Sequence, residues 1–318
     1  MTRVLITGAN GFIGSALSER LLTEGFLVRA AYRSQPKLVA EEIEMVVVGD
    51  INAQTDWQKA LKDIDIVIHL AARVHVMQES ASNPLAEFKK INTDGTLNLA
   101  TQAAKAGVRR LVFFSTIKVH GEQTEKIYTA SDQVNPQDPY ALSKWLAEQG
   151  LQEIRKNSGL EIVIIRPPLV YGPKVKGNFL RLINLVNKGF PIPLASVKNK
   201  RSMVGIDNLC DLIKTVILHE KADGEVFLVS DGQDLSTPEL IQYIARCLEK
   251  PSRLFPFPVS WLYFFAALVG KKPEVERLCG SLQVDIEKNR EILGWQPLYP
   301  VEHGIGKTVA DFLEWSKR

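Results

Sequence analysis

Continuous apolar runs rich in valine and isoleucine alternate with helical patterns through the first half of the chain. Runs without an apolar–polar alternation are typical of parallel strands that are covered on both faces of a sheet. The repetition of strand and helix therefore predicts an α/β, doubly wound fold. The predicted strands are Val4–Thr7, Leu27–Tyr32, Met45–Val48, Ile64–Leu70, Leu111–Ser115 and Glu161–Arg166, and the predicted helices are Ser15–Glu24, Trp57–Lys62, Pro84–Ala106 and Pro139–Ser158.

A glycine-rich turn follows the first predicted strand and opens the first predicted helix. Gly8 permits a tight turn, Gly11 lets the backbone approach a pyrophosphate, and Gly14 lets helix and strand pack closely. The N-terminus of the helix offers free N–H groups and a partial positive charge to phosphates. The turn predicts dinucleotide binding by Gly8, Asn10, Gly11, Phe12, Ile13 and Gly14.

The end of the second predicted strand bears on the choice of cofactor. It carries Arg33 and no Asp or Glu, whereas folds that prefer NAD usually place an acid there for the ribose 2′-hydroxyl. Arg33 could instead pair with a 2′-phosphate, so NADP(H) is favoured and NAD(H) is the alternative, with Arg33 then a solvated surface residue. Asp50 and Ile51 are expected at the adenine, and Leu70, Ala71 and Ala72 beneath the cofactor.

A pair of proton-handling residues begins the helix after Pro139. Tyr140 and Lys144 are four residues apart, so they share a face of the helix. A nearby ammonium favours phenolate, and we expect it to lower the pKa of Tyr140. Thr116, at the end of a strand, can donate a hydrogen bond to the same carbinol oxygen. The set predicts hydride transfer at a carbon that bears an alcohol or a ketone.

Composition excludes several classes of protein. The chain of 318 residues is 45% hydrophobic and 24% charged, with a formal net charge of +3 and no long block of one sign, so no nucleic-acid partner is expected. Cys210, Cys247 and Cys279 have scattered spacings, which favours reduced thiols in a cytoplasmic protein.

The five histidines predict no metal site. His69 lies within an apolar run and is expected to be a hydrogen-bonded core residue. The other four have no metal-ligand spacing with a cysteine or carboxylate; they are His75, His120, His219 and His303.

An apolar stretch at Val259–Val269 is followed by Lys271 and Lys272. It is shorter than the ~20 residues that span a bilayer. We expect a helix buried under the second domain, with Trp261, Phe264 and Phe265 in the core or forming a lid over a pocket. The alternative is a helix on a membrane surface, with the two lysines facing lipid head groups.

The second half of the chain differs from the first in amino-acid composition and in its pattern of predicted elements. Proline, glycine and lysine are frequent from Pro167 to Asn199, one further strand is predicted at Glu225–Val229, and the last part is mainly helical. We expect a Rossmann domain at 1–166 and 203–231. Residues 167–202 and 232–318 would form a smaller, discontinuous, mainly α domain that binds the substrate.

Together these motifs resemble the extended short-chain dehydrogenases/reductases, in the group of nucleotide-sugar epimerases, dehydratases and reductases. The resemblance implies that Thr116, Tyr140 and Lys144 form the catalytic triad and that Asn92 supports Lys144 through water. It also implies a homodimer through the helices at Pro84–Ala106 and Pro139–Ser158. The residues that carry it are Gly8–Gly14, Asp50, Leu70–Ala72, Asn92, Ser115, Thr116, Tyr140–Lys144, Arg166, Pro167, Tyr171–Pro173, Arg201, Asp207 and Leu293–Pro297.

The same resemblance implies that a UDP-sugar is the substrate and indicates which residues would bind it. Arg201 and Asn178 would bind its diphosphate with help from Arg277, and Lys118 would also face the substrate. Pro167 would contact the cofactor, and His120 could make a minor sugar contact.

Three departures narrow the implied activity. Ile117 and Lys118 replace the Asp-Glu pair of the dehydratases, and Leu169 replaces an Asn of the galactose-type epimerases. The second strand also lacks the acid with which such epimerases retain NAD.

Residues 115–122 and 276–285 are similar to a UDP-glucose 4-epimerase-like subgroup that includes 4-ketoreductases. The implied reaction is reduction of UDP-4-keto-6-deoxy-N-acetylglucosamine to UDP-N-acetylquinovosamine for surface polysaccharide (O-antigen) synthesis. The alternatives are a UDP-glucose or UDP-N-acetylglucosamine 4-epimerase, a reductase of apolar ketones, and a redox-sensing regulator without turnover.

Overall fold

Seven parallel strands form the main sheet of the computed structural model, which describes residues 1–36, 40–74, 83–124 and 126–316. The chain contains β1 (Arg3–Thr7), β2 (Leu27–Tyr32), β3 (Glu44–Val47), β4 (Ile66–His69), β5 (Arg110–Phe114), β6 (Glu161–Arg166), β7 (Leu169–Tyr171), β8 (Met203–Gly205) and β9 (Val226–Leu228). The order in the main sheet is β3-β2-β1-β4-β5-β6-β9, and β7 pairs with β8 separately. The strand order reverses between β1 and β4, which confirms the doubly wound fold.

Helices cover both faces of this sheet. The helices of the described residues are α1 (Phe12–Thr23), α2 (Gln58–Leu61), α3 (Pro84–Phe88), α4 (Thr96–Lys105), α5 (Pro139–Asn157), α6 (Gly177–Asn187), α7 (Ile206–Leu218), α8 (Thr237–Cys247), α9 (Val259–Leu268), α10 (Lys272–Cys279), α11 (Glu287–Leu293) and α12 (Val301–Ser316). A π-helical segment, Lys89–Gly95, joins α3 to α4, and single 3₁₀ turns occupy Ile117–Val119 and Glu220–Ala222.

The strand sequences are continuously apolar because the sheet is buried on both sides. On one face, α1 and α7 contribute a core that includes Leu17, Leu21 and Ile213. On the other face, α4 and α5 contribute Leu99 and Leu151. The predicted strands agree with the observed ones to within two residues at each end, and the two three-residue strands β7 and β8 were not predicted.

A separate core lies outside the main sheet. It is formed largely by apolar side chains of α6, α8 and α12, among them Phe179, Ile241 and Ile305. These residues come from the parts of the chain that the sequence assigns to a second domain. We keep the division at 1–166 with 203–231, and 167–202 with 232–318, as a proposal.

Helix α9 contradicts the prediction of a buried helix. Within α9, Ala266 alone is buried, and Trp261, Phe264 and Phe265 are each about half exposed. The second core is already filled by side chains of α6, α8 and α12. Helix α9 therefore contributes only the partly buried Val259 and Leu262 to that core. In the described parts of the chain, no helix combines the length and apolarity needed to cross a membrane.

A buried ion pair fastens α5 to the end of β6. Arg166 Nε donates to Glu148 Oε1 over 3.1 Å, and the two side chains are 4% and 2% exposed. Two charges that have lost their water depend on each other, because either one alone would be buried without compensation.

We predict that Glu148→Gln destabilises the protein by about 3 kcal/mol, because it leaves the Arg166 guanidinium buried without a counter-charge. The free energy of unfolding in urea measures the effect. Glu153→Gln is the matched control, since its pair with Lys156 lies on the same helix with both side chains 64% exposed. That change should cost no more than about 0.5 kcal/mol, and equal losses for the two variants would contradict the assignment.

Candidate active site

The glycine-rich turn lies at the carboxyl edge of β1 and is built on very close backbone contacts. Gly8 has a φ of +70°, and a methyl group on Gly14 would lie 2.2 Å from the carbonyl oxygen of Gly8. The N–H of Gly11 donates to that same oxygen over 2.9 Å. Gly11 is also the N-cap of α1 and has no side chain to occupy the N–H groups of the first turn. The turn therefore offers exposed backbone donors to an anion.

The flanking residues give this turn one open side and one packed side. Asn10 and Gly11 are exposed, while Phe12 and Ile13 are half-buried and pack against the core beside α1. The segment after β4 lies against Gly8, because the N–H of Ala71 donates to Thr7 Oγ1 over 3.2 Å. The backbone of Leu70 and Ala71 therefore lies beside the turn, and their place beneath a cofactor, with Ala72, stays a prediction.

Arg33 and Asp50 meet at the carboxyl ends of β2 and β3. Arg33 Nε lies 3.6 Å from Asp50 Oδ1, and the two side chains are 80% and 79% exposed. The sequence indicated each residue separately and did not predict the pair. Ile51 packs closely on the π-helical segment, where a methyl group on Gly95 would lie 2.6 Å from Ile51 Cγ2.

Tyr140 and Lys144 occupy the first turns of α5. Asp138 caps the helix, with its Oδ1 accepting the Ala141 N–H over 2.7 Å, and Pro139 takes the first helical position. Tyr140 is half-buried. Lys144 is 2% exposed, and its ammonium lies 4.0 Å from the centre of the Phe113 ring in β5. Across the described residues, the Lys144 ammonium has no carboxylate within ion-pair distance.

Thr116 follows β5 at the same edge of the sheet. Its hydroxyl caps the 3₁₀ turn by accepting the Lys118 N–H over 3.3 Å. Pro167 ties this segment to the end of β6, since its carbonyl accepts the Ile117 N–H over 3.0 Å. Lys118 Nζ then donates to Asp138 Oδ2 over 2.9 Å, which joins the turn to the start of α5. The structure thus brings Thr116 and the first turns of α5 to one end of the sheet.

Burial sets the proton affinities of the two α5 residues. Burial lowers the pKa of Lys144 to about 7, although the charge of Glu148 opposes the shift. Burial, followed by the charge of Asp138, raises the pKa of Tyr140 to about 12. The expectation that Lys144 lowers the pKa of Tyr140 is therefore wrong for the protein by itself. Burial disfavours the charged phenolate, and the negative charge of Asp138 disfavours it further.

Asn92 is joined to α5 by a direct hydrogen bond. Its Oδ1 accepts the N–H of Arg73 over 2.8 Å, and its Nδ2 donates to the carbonyl of Arg73 and to Ser143 Oγ, both over 3.0 Å. Ser143 Oγ donates in turn to the Tyr140 carbonyl over 2.7 Å. Asn92 thus reaches α5 directly at Ser143, the residue before Lys144, and its support of Lys144 through water stays a prediction. The sequence did not indicate the π-helical segment that positions Asn92.

His69 is a hydrogen-bonded core residue, as predicted. The Thr96 hydroxyl gives its proton to the Asn92 carbonyl, so Nε2 of the neutral His69 ring carries the ring proton and Nδ1 accepts from Thr7 Oγ1 over 2.7 Å. His69 Nε2 then donates to Thr96 Oγ1 over 2.9 Å, and Thr96 donates to the Asn92 carbonyl over 2.7 Å. Burial and the charge of Lys144 lower the pKa of His69 to about 3, so the ring stays neutral. Thr7 and Thr96 were not predicted; a threonine ending an apolar strand was the available signal for Thr7.

The residues assigned to a diphosphate are Arg201, Arg277 and Asn178. Arg201 Nη1 donates to the carbonyls of Arg277 and Gly280, each over 3.0 Å, so the structure brings Arg201 to the end of α10. Arg277 and Asn178 are exposed.

Lys118 is held by two carboxylates, with Glu122 Oε1 at 2.5 Å and Asp138 Oδ2 at 2.9 Å. Burial lowers its pKa, but the hydrogen bonds to Glu122 and Asp138 outweigh burial and raise it. Through these two ion pairs, Lys118 holds the 3₁₀ turn and Glu122 against the N-cap of α5.

His120 is directed away from a sugar contact, contrary to the expectation. It is 2% exposed, its Nε2 lies 2.8 Å from Arg166 Nη1, and its ring stacks on Tyr128 at 5.2 Å. Burial and the charge of Arg166 lower its pKa to about 4. Of the remaining histidines, His75 lies outside the described residues.

The fold and the turn define a dinucleotide-binding α/β protein. Residues 4–230 match the model of the NAD dependent epimerase/dehydratase family, and the chain belongs to this family.

Relatives and solved structures agree with this assignment. A UDP-glucose 4-epimerase of Vibrio cholerae is 45% identical over 99% of this chain and 97% of its own length. An N-acetyl-alpha-D-glucosaminyl-diphospho-ditrans,octacis-undecaprenol 4-epimerase of Escherichia coli O157:H7 is 28% identical over 96% of this chain and 94% of its own. The crystal structure of UDP-glucuronic acid 4-epimerase from Bacillus cereus in complex with NAD has the same fold, with a TM-score of 0.80, 21% identity and 99% of both chains covered.

We predict that Gly14→Ala abolishes most dinucleotide binding, because the new methyl group would collide with the backbone of Gly8 and Ala9. Displacing α1 from the turn should weaken NADH binding at least ~10-fold and cost about 1–3 kcal/mol of unfolding free energy. Fluorescence titration and urea unfolding measure the two effects. Gly159→Ala is the control, since a methyl group there meets no atom within 4 Å. Unchanged NADH affinity in Gly14→Ala would contradict the role of the turn.

Proposed function

We propose that the protein is a UDP-sugar 4-epimerase, which oxidises C4 of a hexose and reduces it again from the opposite face. The observation that carries the proposal is the placement of Tyr140 and Lys144 on α5, beside Thr116 at the carboxyl edge of the sheet. The 45% identity to the Vibrio cholerae UDP-glucose 4-epimerase over nearly the whole chain supports it.

The residues present fit a nicotinamide dinucleotide. A methyl group would fill the space over Gly8 and Gly14, so backbone and phosphate can approach closely there. Lys144 supplies a buried ammonium whose neighbour is a ring rather than a carboxylate, which leaves its N–H donors for ribose hydroxyls. The remaining cofactor contacts would come from Asn10, Arg33 with Asp50, and the Leu70–Ala72 segment. The bound dinucleotide supplies the acceptor and donor of hydride.

Tyr140 handles the proton at O4 of the sugar, and Thr116 orients that oxygen. With a pKa of about 12, the Tyr140 phenol holds its proton at neutral pH and is ready to donate it. The oxidative half of an epimerisation needs the phenol as a base, so binding of the ligands must lower this pKa. General acid–base catalysis by such a residue contributes about 10²–10⁴-fold to the rate.

The diphosphate of the substrate would meet Arg201, Arg277 and Asn178 in the second domain. Arg201 is already fixed by two backbone carbonyls, so its position costs little ordering on binding. Lys118, which would face the substrate, holds the start of α5 through its ion pair with Asp138. The family's dehydratase branch does not fit, because Ile117 and the ion-paired Lys118 stand where an acid and a base are needed. A cytoplasmic homodimer through 84–105 and α5 is part of the proposal.

The second candidate is an NADPH-dependent 4-ketoreductase of UDP-4-keto-6-deoxy-N-acetylglucosamine. Two observations favour it. Arg33, not an acid, follows the last residue of β2, and its side chain is 80% exposed, which suits a 2′-phosphate. A phenol that is protonated at neutral pH also suits the direction of reduction.

We predict that Tyr140→Phe lowers kcat by about 10²–10⁴-fold and leaves dinucleotide affinity within about twofold, because only the proton at O4 is lost. Tyr243→Phe is the control, since the Tyr243 hydroxyl donates to Glu302 at the exposed surface and should not affect turnover. If Tyr140→Phe retains most of the activity, another group moves the proton.

A single set of assays separates the two candidates. The protein is supplied in turn with UDP-glucose, UDP-N-acetylglucosamine, its 4-keto-6-deoxy derivative, and the undecaprenyl-diphosphate sugar named for the Escherichia coli relative. Products are followed by NMR and the cofactor by nicotinamide absorbance. An epimerase forms the C4 epimer with no net change in absorbance. A ketoreductase consumes NADPH in proportion to product, only with the keto sugar. Failure of both patterns would overturn the proposal.

A further inference from the structure

Helix α9 presents an unusual apolar ridge to solvent. The ridge comprises Trp261, Phe264, Phe265, Leu268 and Val269, which are 49–70% exposed. No charged residue occurs between Val259 and Gly270. A helix that is apolar all round is normally buried in a core or in lipid, and a contiguous exposed apolar patch marks an interaction site.

The aromatic side chains of the ridge pack on one another. The ring centres of Trp261 and Phe265 are 5.8 Å apart, and those of Phe264 and Phe265 are 5.6 Å apart at nearly right angles. Val259 and Leu262 attach the helix to the second core. The ridge is therefore preformed and is presented outward.

Positive charge accompanies the ridge. Lys271 and Lys272 follow it directly and are exposed, and Lys272 Nζ lies 3.7 Å from Glu276 Oε1 in a solvent-exposed pair that lipid phosphates can replace. The segments 188–201 and 240–273 contain nine Lys and Arg residues and one Glu, although the whole chain has a formal net charge of only +3. Three backbone hydrogen bonds hold these segments together, from the N–H of Ile192 to the carbonyl of Arg253, from that of Ala195 to Phe255, and from that of Phe255 to Ile192. Aromatic and basic residues side by side complement an anionic lipid surface.

We propose that the ridge docks the protein on the surface of an anionic bilayer. Helix α9 lies in the plane of the membrane, its aromatic rings enter the boundary between head groups and acyl chains, and Lys271 and Lys272 face lipid phosphates. The structure thus favours the alternative interpretation of this stretch that the sequence left open. The same region leads into α10, whose end holds Arg201.

A second copy of the chain fits the ridge less well than lipid does. A helix of ten residues is about 15 Å long and about 10 Å across, so its face offers on the order of 150 Å² to a partner. A stable dimer buries about 800 Å² on each subunit. Pairing two ridges would also bring the lysines and the basic segments of both copies together.

Flotation of the full-length protein with vesicles tests the proposal. Vesicles of phosphatidylethanolamine with phosphatidylglycerol provide the anionic surface, and phosphatidylcholine vesicles provide a neutral one. The wild type should partition onto the anionic vesicles, and added salt should weaken the partition. The triple variant Trp261→Ser, Phe264→Ser, Phe265→Ser should lower the partition coefficient at least ~10-fold. Lys271→Ala with Lys272→Ala should lower it by roughly 5-fold per lysine on anionic vesicles alone.

Trp315→Ser is the matched control, because Trp315 is 67% exposed on α12 and lies outside the ridge. It should bind vesicles as the wild type does. Tyr140→Phe should also bind as the wild type does, so failure of the proposed function leaves this test intact. Wild-type partition no greater than that of the triple variant would overturn the proposal. A lower oligomeric state of the triple variant in sedimentation, without a loss of vesicle binding, would assign the ridge to a second copy instead. Should the triple variant misfold by circular dichroism, the lysine pair and the salt dependence decide the outcome.

Discussion

One chain of hydrogen bonds holds α5 at the edge of the sheet, and the candidate active site depends on it. It runs from Thr7 at the end of β1 through His69 and Thr96 to the carbonyl of Asn92. The side chain of Asn92 then continues to Ser143 on α5. Every polar group in this chain is buried, so an unpaired member would cost the full price of desolvation. The π-helical segment makes the connection possible by turning Asn92 toward α5.

The electrostatic character of the site follows from the same burial. Lys144 and Tyr140 lie where charge is costly, so the pKa of the amine falls to about 7 and that of the phenol rises to about 12. The two groups therefore favour their neutral forms far more than in water. Charge brought by bound ligands has a large effect in such surroundings, because little solvent screens it. The exposed pair of Arg33 and Asp50 is different, since water reaches both groups and either can turn to a ligand at little cost.

The apolar ridge on α9 is a second surface with a distinctive composition, apart from the candidate active site. Its aromatic side chains have no place in the core that α6, α8 and α12 fill. The basic segments beside it distinguish the ridge from an ordinary protein interface. The proposed docking surface and the candidate active site are separate, because α9 attaches to the second core and Tyr140 begins α5 at the edge of the sheet. The connection between them is α10, which begins at Lys272 and ends beside the Arg201 guanidinium.

The sequence determined whatever depends on neighbours along the chain. Continuous apolar runs indicated the strands, the spacing of Gly8, Gly11 and Gly14 indicated the turn, and four-residue spacing put Tyr140 and Lys144 on one helical face. The tertiary structure decided what depends on residues distant in sequence. Whether α9 is covered is set by how the second core is filled, and the proton affinity of Tyr140 is set by burial and not by its helical neighbour. Burial is a property of the whole fold, and a local pattern reports only which residues could be buried together.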